Sequence, residues 1–195
     1  MSEKSERKKK LIIEKARQVF SEKGFKTVTM KDIVEACEIS RGGLYLYFDN
    51  TEALFKEVLR AESEEAEDDV FEKAISEQMT SAEILALFLK EQKKEILKKE
   101  GRLTMAIYEF YSVTQVPKKE NLLRRQFDEA VLVIEKLIAD GVESGEFYCE
   151  DPKGAARNIM YVLEGLKIRS QTVGISENAV NHEIMYIMRG LVGEE

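Results

Sequence analysis

From Leu44 to Glu100 the chain carries neither glycine nor proline. A β-sandwich or barrel needs turn residues roughly every 8–12 positions, so a run this long without a breaker reads as helix after helix. The remainder keeps the same habit, with 11 Gly and 2 Pro in 195 residues. The expected fold class is therefore all-α. Apolar residues at 44% and charged residues at 34% describe an ordinary globular chain, which at this length buries roughly 70% of its unfolded surface. No apolar run approaches the ~20 residues of a membrane span, and the charged start Met1-Ser2-Glu3-Lys4 lacks the form of a secretory signal. A cytoplasmic protein with no membrane partner is expected. Cys37 and Cys149 match no metal or redox spacing and are read as reduced thiols. His182 is the only histidine, so a multi-His metal centre is excluded, and no Gly-flanked nucleophile stands beside a base. No catalytic residue, metal or cofactor is expected.

Charge is divided unevenly. The formal net charge is -7, yet residues 1–50 carry a net +3 and the remainder a net -10. The basic residues run Lys4, Arg7, Lys8, Lys9, Lys10, Lys15, Arg17, Lys23, Lys26, Lys31 and Arg41. The acidic block Glu62, Glu64, Glu65, Glu67, Asp68, Asp69 and Glu72 reads as a solvated helix face. A basic head on an acidic body suits a polyanionic partner for the first fifty residues only.

Helix boundaries are marked by caps. Ile12, Ala16, Val19 and Phe20 recur at helical spacing up to a stop at Gly24. Thr29-Met30-Lys31-Asp32 has the form of a capping box, Ser40 can cap a third short helix, and Asp49-Asn50-Thr51-Glu52 a fourth. Further on, Thr80 with Glu83 forms a second capping box, and Leu103–Val113 is so apolar that burial all round is expected, with Pro117 as its breaker. A long pattern from Leu122 closes at Gly141 and Gly145; Asp151-Pro152 and Ser176 open the last two helices.

Thr29 to Phe48 has the layout of a helix-turn-helix: a capped short helix, a tight connection and a second short helix. Gly42 and Gly43 each cost roughly 1 kcal/mol of helix propensity relative to Ala. That cost is intelligible where another backbone or a base edge must come close. Arg41 supplies the planar fork that grips guanine O6 and N7. Tyr45 and Tyr47 offer hydroxyls to phosphates, Thr29 and Ser40 head helix N-termini, and Lys31 adds charge beside the first of them. A Gly-Gly loop with a packed tyrosine pair is the plain alternative.

Ile12-Ile13, Ala16, Phe20, Gly24-Phe25, Thr29-Met30-Lys31-Asp32-Ile33 and Ile39-Ser40-Arg41-Gly42-Gly43-Leu44-Tyr45-Leu46-Tyr47-Phe48 together resemble the N-terminal signature of TetR-like (TetR/AcrR) transcriptional regulators. Glu52, Leu54 and Phe55 extend the likeness, and Gly141–Phe147, Asp151-Pro152 and Glu164-Gly165-Leu166 echo it more weakly. The resemblance implies a helix-turn-helix DNA-binding domain over 1–50, linked by the helix starting near 50, and a helical ligand-binding and dimerisation domain over 51–195. It implies a homodimeric repressor that reads a pseudo-palindromic double-stranded operator and is released by a small apolar or amphipathic effector. Two positions depart from the family pattern: Glu38 stands where the turn is often Gly, and Thr51 where a phosphate-touching Lys is frequent. At Thr51 a hydroxyl can still donate to phosphate.

In the second half, Phe88, Met105, Tyr108, Glu109, Tyr111, Phe127 and Tyr161 are candidates for a ligand pocket, because Met and Tyr make adaptable amphipathic walls. For most of them, together with Phe110 and Met160, plain core packing is the preferred reading. Glu109, a lone carboxylate in an apolar helix, finds a hydrogen-bond donor or reaches the helix edge, the lesser reading being a counter-charge for a cationic ligand. Ile159, Leu163, Leu166, Ile184 and Met188 lie on broad apolar faces of the last two helices and are candidates for a four-helix dimer interface, the alternative being that both faces pack only on their own domain. The rival functions are an all-helical protein-interaction adaptor and an enzyme, the latter without a recognisable catalytic set.

Overall fold

The computed structural model describes residues 3–66, 79–99 and 101–192. Among them are nine α-helices and one 3₁₀ turn, with no strand. The chain divides into two compact units, residues 1–67 with 99–116, and residues 68–98 with 117–195. This division differs from one at residue 50, because the helices Thr51–Ala66 and Thr104–Val113 pack against the first helix.

The N-terminal unit holds α1 (Glu3–Lys23), α2 (Met30–Cys37), α3 (Arg41–Tyr45), α4 (Thr51–Ala66) and, later in the chain, α6 (Thr104–Val113). Helix α1 is 21 residues long, because its charged first turns extend well before the apolar stripe Ile12, Ala16, Val19 and Phe20, which is buried. The Thr29–Asp32 capping box forms as expected and opens α2. Glu38 closes α2 in the left-handed region at φ 52°, the conformation that its place in the turn demands. Such a backbone costs a non-glycine residue roughly 1–2 kcal/mol. Ser40 caps α3 through the N–H of Gly43, and Asn50 caps α4 through that of Ala53. The Phe55 ring packs against Phe20, Phe25 and Phe110 at centroid distances of 4.7, 5.1 and 5.2 Å. Lys9–Glu57 and Arg17–Glu62 ion pairs lace α1 to α4.

Several expectations are corrected here. Helix α6 is not buried all round: Leu103, Ala106 and Phe110 are buried, while Ser112 and Val113 are exposed. It ends at Val113, and Pro117 instead precedes the 3₁₀ turn Lys118–Glu120. Phe110 belongs to the aromatic cluster of the N-terminal unit, not to the C-terminal core. Of the acidic block, Glu62 is half-buried and paired with Arg17; Glu67, Asp68, Asp69 and Glu72 lie outside the described residues.

The C-terminal unit holds α5 (Ser81–Leu97), α7 (Leu122–Glu143), α8 (Pro152–Thr172) and α9 (Glu177–Arg189). Thr80 with Glu83, Asp151 and Ser176 cap their helices as the sequence implies. The core gathers Leu85, Leu89, Ile96, Ile134, Ile138 and Leu163, with other apolar residues around them. Ile159, Leu163 and Leu166 are 3%, 0% and 8% exposed, so they are spent on this core and are not free to meet a second chain. Ile184 and Met188 are half-buried against the same core. A helix that is apolar on two sides gives no sign in sequence of which side its own domain takes.

Gly141 lies inside α7 and is not its stop, a role that falls to Gly145 at φ +81°. The chain folds back so that the N–H groups of Glu146 and Phe147 both donate to the Gly141 carbonyl, at 2.8 and 2.9 Å. A Cβ at Gly141 would fall 2.2 Å from Cδ2 of Phe147. Gly141→Ala is therefore expected to destabilise the protein by about 1–3 kcal/mol, measured by urea unfolding. An unchanged midpoint would mean that the Phe147 ring moves aside without cost.

Candidate nucleic-acid interface

Helices α2 and α3 are joined by a turn of three residues, Glu38, Ile39 and Ser40. Between them runs a groove of about 420 Å³ lined by Thr29, Met30, Lys31, Val34, Arg41 and Tyr45. Four of the residues singled out from sequence for DNA binding thus share one concavity. Arg41 is exposed, with its guanidinium carbon 5.5 Å from the centroid of the Tyr45 ring. That stacking leaves the planar edge of the guanidinium available for bidentate bonds.

The two glycines differ. A Cβ at Gly42 would meet nothing within 4 Å, so this face of α3 is open. A Cβ at Gly43 would lie 3.1 Å from Ser40 Oγ and 3.7 Å from Lys8 Nζ. Intramolecular packing therefore explains a small residue at Gly43 and does not explain one at Gly42.

The remaining residues are partly committed within the chain. Thr29 Oγ1 donates to Asp32 Oδ2 at 2.5 Å, and its N–H donates to the same oxygen at 2.8 Å. Tyr47 is half-buried, and its hydroxyl accepts from Ser5 Oγ at 3.3 Å, which ties the region after α3 to α1. Lys31 is exposed and loosely paired with Glu35 at 3.7 Å. Thr51 is the half-buried first residue of α4. Lys23 bonds Asp32 at 2.6 Å; this ammonium and the bonds from Thr29 hold the Asp32 carboxyl well below the usual carboxylate range, and the Lys23 pKa is raised in return. The capping box thus stays ionised through mildly acid conditions.

The basic arm separates into two kinds of lysine. Lys9 bonds Glu57 at 2.6 Å and lies 5.8 Å from the Phe48 ring centroid, so it is part of the packing. Lys8 and Lys10 are exposed and form no ion pair among the described residues. Replacing Lys8 and Lys10 with Gln is expected to weaken binding to all DNA sequences alike. The slope of log K against log salt should flatten by about 0.9 for each phosphate that is no longer neutralised. Lys9→Gln is expected to lower stability and leave the slope alone. Titrations at several salt concentrations separate the two, and an identical slope for all three substitutions would remove the distinction.

Lys8 is part of the basic run that the sequence shows, but its reach to α3 and the exposure of Leu46 have no clear signal there. Lys8 reaches the recognition helix only because α1 runs long, which the apolar periodicity starting at Ile12 does not announce. Leu46, 82% exposed beside α3, is an apolar side chain suited to a thymine methyl group. Leu44, two positions earlier, is fully buried, and nothing in the sequence distinguishes the two leucines.

The candidate pocket residues fall into two groups. Met105, Tyr108, Glu109 and Tyr111 lie on α6, in the N-terminal unit. Phe88 belongs to the core of the C-terminal unit, where the Phe127 and Tyr161 rings also meet at 5.0 Å. Glu109 finds donors: its Oε2 accepts from the N–H groups of Phe25 and Lys26.

Comparison with known proteins places both parts of the chain. Residues 12–58 match the family model described as bacterial regulatory proteins, tetR family, and residues 84–181 match a tetracyclin repressor-like C-terminal domain. The uncharacterized HTH-type transcriptional regulator YfiR of Bacillus subtilis is 33% identical over 143 residues, covering 72% of this chain and 68% of its own length. The fatty acid metabolism regulator protein of the same organism is 30% identical over 145 residues, covering 69% and 68%. In fold the chain is similar to a putative transcriptional regulator from Saccharomonospora viridis, solved in complex with choline. That match has a TM-score of 0.79 at 19% identity and covers 97% of this chain and 100% of that one.

Proposed function

The chain belongs to the TetR family of bacterial regulatory proteins, and from that premise we propose that it is a homodimeric cytoplasmic repressor released from its operator by a small amphipathic effector. The observation that carries the DNA-reading part is the open Gly42 face beside Arg41, above a groove flanked by Lys31 and the N-terminus of α2. Arg41 reads a base edge, Tyr45 holds its guanidinium, and Lys8, Lys10 and Lys31 fix register through phosphates. One such head reads too few base pairs to single out a genomic site, and a symmetric pair reads two half-sites one helical turn apart.

For pairing, the outward stripe of α8 and α9 is the best surface. Tyr186 is 64% exposed there and lines, with Ala155, Val162 and Ile187, a groove of about 380 Å³ between the helices. For the effector, an apolar chain with a polar head is the chemistry that two similar proteins suggest. One similar protein is named for fatty acid metabolism, and another was solved with choline. The effector shifts the dimer toward a spacing of heads that misses successive major grooves.

Selection from a random DNA pool with the full chain tests this reading. A pseudo-palindrome with half-sites about 10 base pairs apart is expected, bound with a steep salt dependence. Fatty acids, acyl thioesters and quaternary amines are then tested for release of the selected DNA. Failure to enrich any sequence would favour a protein-binding adaptor.

A further inference from the structure

Helix α6 lies in residues 99–116, the stretch beyond residue 67 that packs into the N-terminal unit. Its one charged residue is Glu109, in the sequence TMAIYEFYSV. The two bonds that the carboxylate accepts, from the N–H of Phe25 at 2.8 Å and of Lys26 at 3.0 Å, converge on a single oxygen, Oε2. These N–H groups belong to the turn between α1 and α2. Gly24, at the head of that turn, has φ +76°, and a Cβ there would fall 2.7 Å from the same oxygen. Glycine is therefore required twice over: by the left-handed backbone, and by the space that the carboxylate fills.

The turn leads within three residues to Thr29, the N-cap of α2. Its fastenings from Gly24 N–H to Phe20 O at 2.9 Å and from Thr27 Oγ1 to Lys23 O at 2.5 Å bind it back to α1. Glu109 holds it from a distant stretch of chain. The Phe25 ring, set edge-on against Phe110 at 5.0 Å one residue along α6, keeps the carboxylate and the turn in register.

We propose that Glu109 is a positioning residue for DNA binding: through one acceptor oxygen, α6 fixes the turn that sets the N-terminus of α2 against the DNA backbone. This rests on the DNA-reading role proposed above. The acceptor oxygen matters and the negative charge does not, because both bonds go to one atom that an amide carbonyl can replace. Without that atom the half-buried Phe25 amide is left with a poorly satisfied donor.

The test uses the full chain and the sequence that the wild type selects from a random pool. Glu109→Ala should lower affinity for that sequence at least about tenfold, well below its melting temperature, with affinity for unrelated DNA nearly unchanged. Hydrogen exchange at the Phe25 and Lys26 amides should accelerate. Glu109→Gln should stay within about threefold of wild type on the selected DNA. Gly24→Ala displaces the carboxylate from the other side; it should repeat the loss, and in the Glu109→Ala background only the smaller part due to its left-handed backbone should remain. It also decides the matter if Glu109→Ala does not fold. A folded Glu109→Ala or Gly24→Ala with wild-type operator affinity overturns the assignment, as does a Gln variant as impaired as the Ala one. If the wild type selects no sequence, DNA reading itself falls; if it selects one and the variants bind it equally well, only the role of Glu109 falls.

Discussion

Gly42→Ala is expected to make the free protein more stable and the operator complex weaker. Replacing a helical glycine removes about 1 kcal/mol of propensity cost, and the added methyl meets nothing within 4 Å in the free chain. In the complex that open space is where a base edge or phosphate must lie, and a methyl forced into a close-packed interface costs about 1–3 kcal/mol. The two effects have opposite signs, so no general loss of folding can imitate the result. Arg41→Ala gives the companion outcome: about 1–3 kcal/mol lost on the selected operator, with relaxed preference at one base pair in each half-site. Urea unfolding and operator titration on the same preparations check both. A Gly42→Ala protein that binds the operator like wild type would mean that DNA does not approach this face of α3.

The reading head is legible in the sequence because its signals are local. A capping box, a serine N-cap and an arginine ahead of two glycines are each fixed by neighbours within four residues, and each forms where the spacing places it. Glu38 is likewise readable, since its place in the turn demands a left-handed backbone whatever residue occupies it. What is not legible is which partner a side chain meets. Phe110 and Glu109 sit in an apolar helix whose sequence says only that it packs; that it packs with α1 and its turn depends on a return of the chain over some 80 positions. Gly141 reads as a helix stop because glycine usually is one, and the Phe147 ring that needs the space comes from the following loop.

The same ambiguity of faces governs the assembly, and it sets the second large effect. Leu166→Glu would place a carboxylate in the core of the C-terminal unit, where Leu166 is 8% exposed, and would unfold the chain whether or not it pairs. Tyr186 is the informative position, because its side chain is already 64% exposed in a single chain. Val162, half-buried beside the same groove, is the second. Tyr186→Glu costs one protomer little. Across a two-fold axis it sets like charges near one another and removes an apolar anchor from both partners at once. The expected result is a shift from dimer to monomer in sedimentation with an unchanged thermal transition of the secondary structure at high dilution. Operator affinity should fall about 100-fold or more, toward the value for unrelated DNA, because one head alone retains its own phosphate bonds but only half of the base readout. Val162→Glu should act in the same direction. If both variants sediment as dimers and bind the operator as wild type does, the pairing surface is not the outward stripe of α8 and α9, and the symmetry must come from another face.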